Sequence, residues 1–288
     1  MADIYLVCEG SDDGLDFKVL NLILVNKLNK AVLISPAGGD SGLNSVASWI
    51  EAKSAPGAVS YSIEDRNYRS LGEVEAKWKA ESKRFIWRRH EIENYLLEPA
   101  VILQAMVSLS QVQSGNLPQT LADVESVMRS AADPLFEDHV GQLTRSQLVE
   151  ELNVMRLQLG QPQGRQYFQR QEWLDFLHGE CGRLKNSGAD LSNLQQFDEM
   201  AITTLYDRLL NELKASDFLS GKRYLREMGG HELMTALHNF LRASGFPRLS
   251  QSDLEIELLK ALEQQYMPGY FAFDNQPDDF VELAQRLI

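Results

Sequence analysis

Cysteine is scarce. The 288 residues hold only Cys8 and Cys181, far apart and in no C-x-x-C pair, which sets aside a disulfide framework and a cysteine-built zinc module. No apolar run approaches the roughly 20 residues of a membrane-spanning helix. The N-terminus has neither the basic region nor the small-residue cleavage site of a secretory signal. The dinucleotide fingerprint G-x-G-x-x-G is also missing, since EGSDDG follows the first predicted strand, and this argues against a nicotinamide-dependent oxidoreductase. Positive charge is in deficit: 28 Lys and Arg stand against 41 Asp and Glu, a net charge of −13. A uniformly acidic surface repels phosphate backbones. There is no repeat, heptad run or low-complexity tail. These absences describe a cytoplasmic, reduced protein with no membrane association, long enough for one large or two modest domains.

The rest of the sequence is organised around Ile4–Asp16, IYLVCEGSDDGLD. A short apolar run ending in turn chemistry reads as a buried strand. Ser11 can cap the helix that follows, and Asp12 and Asp13 suit its positive N-terminal dipole. Glu9 then stands at the carboxyl end of the first strand, where open α/β sheets place their chemistry. A capped strand-to-helix turn with no further role is the plainer reading. An apolar helix is predicted over Leu15–Leu28, a second strand over Ala31–Ile34, and the turn Pro36-Ala37-Gly38-Gly39 after it. Those glycines permit a tight turn or a close backbone approach to a ligand, an ordinary loop being the alternative. A helix over Leu43–Ile50, a third strand over Ala58–Ile63, a charged helix over 71–83 and a fourth strand over Phe85–Trp87 follow. Strands alternating with helices predict an α/β fold with a mostly parallel sheet flanked by helices.

From about residue 100 only helical periodicity remains: Val101–Val107, Leu121–Met128, Gln147–Leu159, Glu172–Leu184, Leu191–Leu213, Glu232–Leu241, Leu254–Leu262 and Phe280–Leu287. The expected division is therefore an α/β domain over 1–100 and a largely α-helical region over 101–288. Gly160–Gln166 reads as a flexible connection.

Two charge features stand out. Residues 66–90 hold eight Lys and Arg against three Glu, a local balance of +5, while the other residues hold 20 basic against 38 acidic side chains. Within this island Arg66, Arg69, Arg88 and Arg89 are candidates for holding a nucleic-acid backbone. Tyr68, Trp78 and Trp87 could stack on unpaired bases, although Trp87 lies in a strand and suits the core. The second feature is acidic. Glu9, Asp65, Glu91 and Glu93 follow the first, third and fourth strands, and three such strand ends can converge on one crevice. Acids so placed repel one another unless a cation compensates them, and hard divalent cations bind through carboxylates. The alternative for Glu91 and Glu93 is that acids gather at helix N-termini for dipole reasons alone.

The arrangement resembles the TOPRIM domain shared by topoisomerases, bacterial primases and overcoming-lysogenization-defect (OLD) nucleases. Glu9-Gly10 matches its first motif, and Asp65-Arg66-Asn67 stands where it has Asp-x-Asp. The segments EGSDDGLDF, PAGG, IEDRNY, HEIENYLLEP and SGKRYL (Ser220–Leu225) together resemble a TOPRIM-like nuclease family that includes the nuclease effector of the PARIS antiphage system. The likeness covers roughly residues 1–100 and the Gly-Lys segment. It implies a metal-dependent endonuclease using Mg2+ or Mn2+. Glu9 would be a metal ligand or general base, Asp65 a metal ligand, and Glu93 a further ligand or its support. Lys222 would bring positive charge to the phosphate, a surface lysine being the plainer reading. Asn67 would be a neutral ligand in place of the family's second Asp, which lowers the charge available to a cation. The resemblance also implies an antiphage defence effector that cuts RNA, with host tRNA the leading substrate and DNA the alternative. A partner ATPase would hold or release it, with the helical region docking that ATPase or a second copy. The competing expectation is a catalytically degenerate TOPRIM-like binding module.

Overall fold

The computed structural model describes residues 4–24, 32–54, 56–79, 81–112, 117–162, 167–191, 194, 197–265 and 278–287. The first element is β1 (Ile4–Cys8), whose residues are nearly all buried. Then come α1 (Leu15–Leu24), β2 (Val32–Pro36), α2 (Asp40–Lys53), β3 (Val59–Glu64), α3 (Leu71–Lys77), β4 (Arg84–Ile86) and the single-turn α4 (Glu93–Leu96). The strands form one four-stranded sheet in the order β2-β1-β3-β4. Every pairing is parallel, with Ile4 opposite both Val32 and Val59, and Ser62 opposite Arg84. Alternation along β1 sends Val7 toward α2, where it packs with Leu43 and Ile50. The predicted α/β class with a parallel sheet flanked by helices is therefore found.

The chain then continues through α5 (Pro99–Val112), α6 (Leu121–Ala132), a 3-10 turn (Asp133–Leu135), α7 (Phe136–Val154), α8 (Arg170–Asn186), α9 (Glu199–Ala215), α10 (Tyr224–Glu227), α11 (Gly230–Ala243), α12 (Gln251–Gln265) and α13 (Asp278–Arg286). Among the described residues no strand follows β4, and no helix is long and apolar enough to cross a membrane. Parts of the predicted helices over Leu15–Leu28 and Leu191–Leu213, of the strand over Ala31–Ile34 and of the Gly160–Gln166 connection lie outside the described residues.

The chain divides differently from the expected break at residue 100. One compact unit comprises Met1–Val127 together with Leu225–Ile288, and the other comprises Met128–Tyr224. The reason is that α11 and α12 return to pack against α4, and α12 also packs along α5 and α1. Those helices complete the core of the sheet-bearing unit. The second unit is helical, with α7 packed on α8 and α9. Gly141 of α7 lies against the indole of Trp173, so closely that a Cβ there would come within 2.1 Å of the ring.

Candidate functional site

In a parallel sheet of order 2-1-3-4 the connections leave β1 in one direction and reach β3 in the other, so a crevice opens between the carboxyl ends of these two strands. Glu9 is the first residue beyond β1 and Asp65 the first beyond β3. They meet directly: the Asp65 backbone N–H donates to Glu9 Oε1 at 3.1 Å. The Gly38 N–H donates to the Gly10 carbonyl at 2.8 Å, which brings the PAGG turn alongside the Glu9-Gly10 turn. Gly10 takes a φ of 77°, a conformation open to glycine at little steric cost.

A third carboxylate joins from α1. Asp16 sits in its first turn, and a Cβ on Gly10 would lie 4.0 Å from Asp16 Oδ2. Burial and the nearby Glu9 and Glu91 push the Asp16 carboxyl up to about 7. Asp65 is raised well above the ordinary carboxylate range by burial and by Asp16, Glu9, Glu93 and Glu91, and its buried Oδ1 has no hydrogen-bond partner. Glu93, first residue of α4, is pushed up to about 8 by burial, Glu91 and Asp16. Four carboxylates thus share one poorly solvated space, and each disfavours ionisation of its neighbours.

Glu91 has a different role. Burial pushes its carboxyl up, but His90 and the backbone N–H groups of His231 and Gly230 more than offset this and leave it below its usual range. Its Oε2 accepts from the His231 N–H at 2.9 Å, so Glu91 serves the N-terminus of α11. Glu91 thus sits at the N-terminus of α11 and also raises Asp16, Asp65 and Glu93.

The donor set is all oxygen, anionic and repulsive, which suits a hard divalent cation. The unsatisfied Asp65 Oδ1 is the specific sign of fit, because buried polar atoms are ordinarily paired. The side chains are not, however, drawn into a finished coordination shell. Among the described residues no group of three or more His, Cys, Asp or Glu side chains is close enough to hold a metal ion as it stands. Asn67 contributes little to the cluster. It is exposed, with a φ of 51°, and its side-chain N–H group lies 3.5 Å from the Asp65 backbone carbonyl. Asn is among the few residues that adopt this left-handed conformation readily.

Arg66, Arg69, Arg88 and Arg89, the expected nucleic-acid contacts, each have partners within the fold. Arg66 donates to the carbonyls of Arg69 and Arg88. Arg69 reaches the Asp65 carbonyl at 2.6 Å and the carboxylate of Glu64 at 3.2 Å, and Arg84 grips Glu64 with two 2.8 Å bonds. Arg88 binds Glu75, Asp279 and Glu282 and lies over the Trp78 ring. Arg89 is buried, paired with Glu98 and stacked over Tyr95. The Arg69 and Arg88 side chains stay 30% and 23% exposed in these pairs. Trp78 and Trp87 are core side chains, and Tyr68 packs edge-on against His90. Lys222 lies in the Met128–Tyr224 unit, exposed, at a φ of 64°. It is not among the residues that build the acid cluster of the sheet-bearing unit.

Asp16 escaped the sequence reading, yet a signal was present. In α1 it stands three and four residues before the buried Val19 and Leu20, so helical periodicity puts an acid on the core-facing side. No protein-family model matches the chain, and no curated protein is detectably similar to it.

Proposed function

We propose that the chain is a metal-dependent nuclease of the TOPRIM kind, with Glu9, Asp16, Asp65 and Glu93 as the acids that receive Mg2+ or Mn2+. The observation that carries this reading is the buried, unpartnered Oδ1 of Asp65 within a mutually repelling set of carboxylates at the β1/β3 crevice. A cation held there would orient a water molecule and offset charge developing on the leaving oxygen of a phosphodiester. The residues have matching tasks. Glu9, with Oε1 fixed by the Asp65 N–H, holds a set orientation at the mouth of the crevice. Asp16 and Glu93, raised to about 7 and about 8 by burial and their acidic neighbours, are the acids that gain most from a cation that offsets this repulsion. The uncapped start of α2 after Gly39 adds a positive dipole end suited to a phosphate.

The resemblance noted above sets the finer reading: an antiphage effector that cuts RNA, host tRNA first and DNA as the alternative, governed by a partner ATPase. On the same resemblance Lys222 would bring positive charge to the phosphate, and the helical region over 101–288 would dock the ATPase or a second copy. A second reading, a degenerate binding module, draws on the neutral, exposed Asn67 and on the unassembled ligand shell. One experiment separates them. Full-length protein is incubated with Mg2+ or Mn2+ and, separately, total tRNA and plasmid DNA, beside Glu9→Gln and Asp65→Asn. Cleavage by the unaltered chain and loss of it in both variants is the expected result. No cleavage and no metal binding, with and without the ATPase, would sink the nuclease reading.

A further inference from the structure

The helix that carries Glu93 cannot hold itself in place. α4 is one turn long, and a single turn fixes several dihedrals for little hydrogen bonding, so it does not persist in isolation. Its N-cap, Ile92, offers no side-chain cap. The position of Glu93 is imposed by a segment more than 130 residues further along the chain. Asn94 is fully buried. Its Oδ1 accepts from the Glu91 N–H at 2.8 Å, and its Nδ2 donates to the carbonyls of Leu225 and Met228 at 3.0 Å each. The His90 N–H donates to the Arg226 carbonyl at 2.8 Å. Gly230 completes the fit by having no side chain, since a Cβ there would lie 2.7 Å from Glu93 Cβ and 2.9 Å from Asn94 Oδ1.

We infer that Asn94 and Gly230 are positioning residues for the acid cluster: they fix the backbone at Glu93 so that its carboxyl joins Glu9, Asp16 and Asp65, and thereby set the affinity for a divalent cation. This rests on the metal-centre reading of the cluster. A buried amide with three of its four hydrogen-bonding positions engaged is a stiff brace. Groups that orient metal ligands from behind commonly govern affinity by about 10- to 100-fold. Asn94→Asp keeps the shape and the Oδ1 acceptor but turns an oxygen toward two carbonyls. Gly230→Ala drives a methyl group against Glu93.

The test titrates Mn2+ alone into the full-length chain and into Gly230→Ala, Asn94→Asp and Gly179→Ala, followed by paramagnetic resonance of the free ion. Metal-free thermal melts are recorded for each. Gly179→Ala is the control, because its Cβ meets nothing within 4 Å. The control should match the unaltered chain, and the two folded test variants should bind Mn2+ about 10- to 100-fold more weakly. No binding by the unaltered chain overturns the metal-centre reading and this inference with it. Binding that is unchanged in a folded test variant overturns the inference alone, even where the melt has dropped, since a purely structural brace lowers the melt without moving affinity. Where Gly230→Ala does not melt cooperatively, Asn94→Asp decides.

Discussion

Glu64 and Asp65 are neighbours in the chain with opposite electrostatic surroundings. Glu64 is buried and held by Arg84 and Arg69, whereas Asp65 meets other acids. Its charge is therefore a burden on the fold. Asp65→Asn should raise the stability of the metal-free chain by about 0.5–2 kcal/mol, the usual scale of a single stabilising substitution, and on the proposed nuclease reading should abolish cleavage. Calorimetric melts in EDTA beside tRNA cleavage assays check both. The same repulsion sets a pH dependence. Asp16 and Glu93 hold their protons to about 7 and about 8 when folded, against 3.8 and 4.5 as ordinary carboxyls. Folding thus takes up protons between those limits. The stability this contributes is fully present below the ordinary values and is lost as pH rises through 7 and 8. The metal-free melt should fall from about pH 4 to about pH 8 more steeply than that of an Asp16→Asn/Glu93→Gln double variant, and saturating Mg2+ should flatten the decline. Equal slopes in both proteins would contradict the shared acid space.

At the scale of elements, α13 is tied to the turn after β4 by a buried carboxylate. Asp279 accepts from the Arg88 N–H and side chain and from the Tyr95 hydroxyl, and Phe280 stacks on Tyr95. Arg88→Ala would leave that carboxylate buried without its cation, a change that costs about 3–5 kcal/mol and should show as a large drop in denaturation midpoint. If Arg88 instead served a phosphate, the midpoint would hold and the salt dependence of RNA binding would become shallower. In the helical unit, Gly141→Ala forces a methyl into the Trp173 ring and should destabilise by about 1–3 kcal/mol, measured by the same unfolding. The sequence was legible where local chemistry decides the outcome. Strand β1 is a short apolar run and β3 alternates apolar residues with serine, each closed by turn residues, and Glu9 and Asp65 were identifiable from their places at those ends. It was less legible where distant residues decide. The pairing of Arg88 with Asp279 and Glu282 spans 191 and 194 residues, so a basic island looked free. Helix α7 starts at Phe136 and not at Gln147 because its first turns bury His139, Gly141 and Thr144, types that apolar periodicity passes over.

At the scale of the whole chain, the sheet-bearing unit is discontinuous: residues 128–224 interrupt it before α11 and α12 return to finish its core. A chain stopped after Tyr224 lacks Leu225 and Met228, which brace Asn94; Asp279 and Glu282, which bind Arg88; and His231, which donates to Glu91. It should show no cooperative melt of the sheet-bearing unit by circular dichroism and no Mn2+ binding, and a two-state melt with intact binding would contradict the dependence described. The interruption also has a meaning in time. A ribosome adding ~5–20 residues per second needs about 7–26 s to add the 131 residues from Tyr95 through Leu225. Throughout that interval Glu93 has been made, and the carbonyls that accept from Asn94 Nδ2 have not. On the nuclease reading proposed above, a nascent chain or fragment that ends before Leu225 lacks the brace on Glu93 and should be inactive.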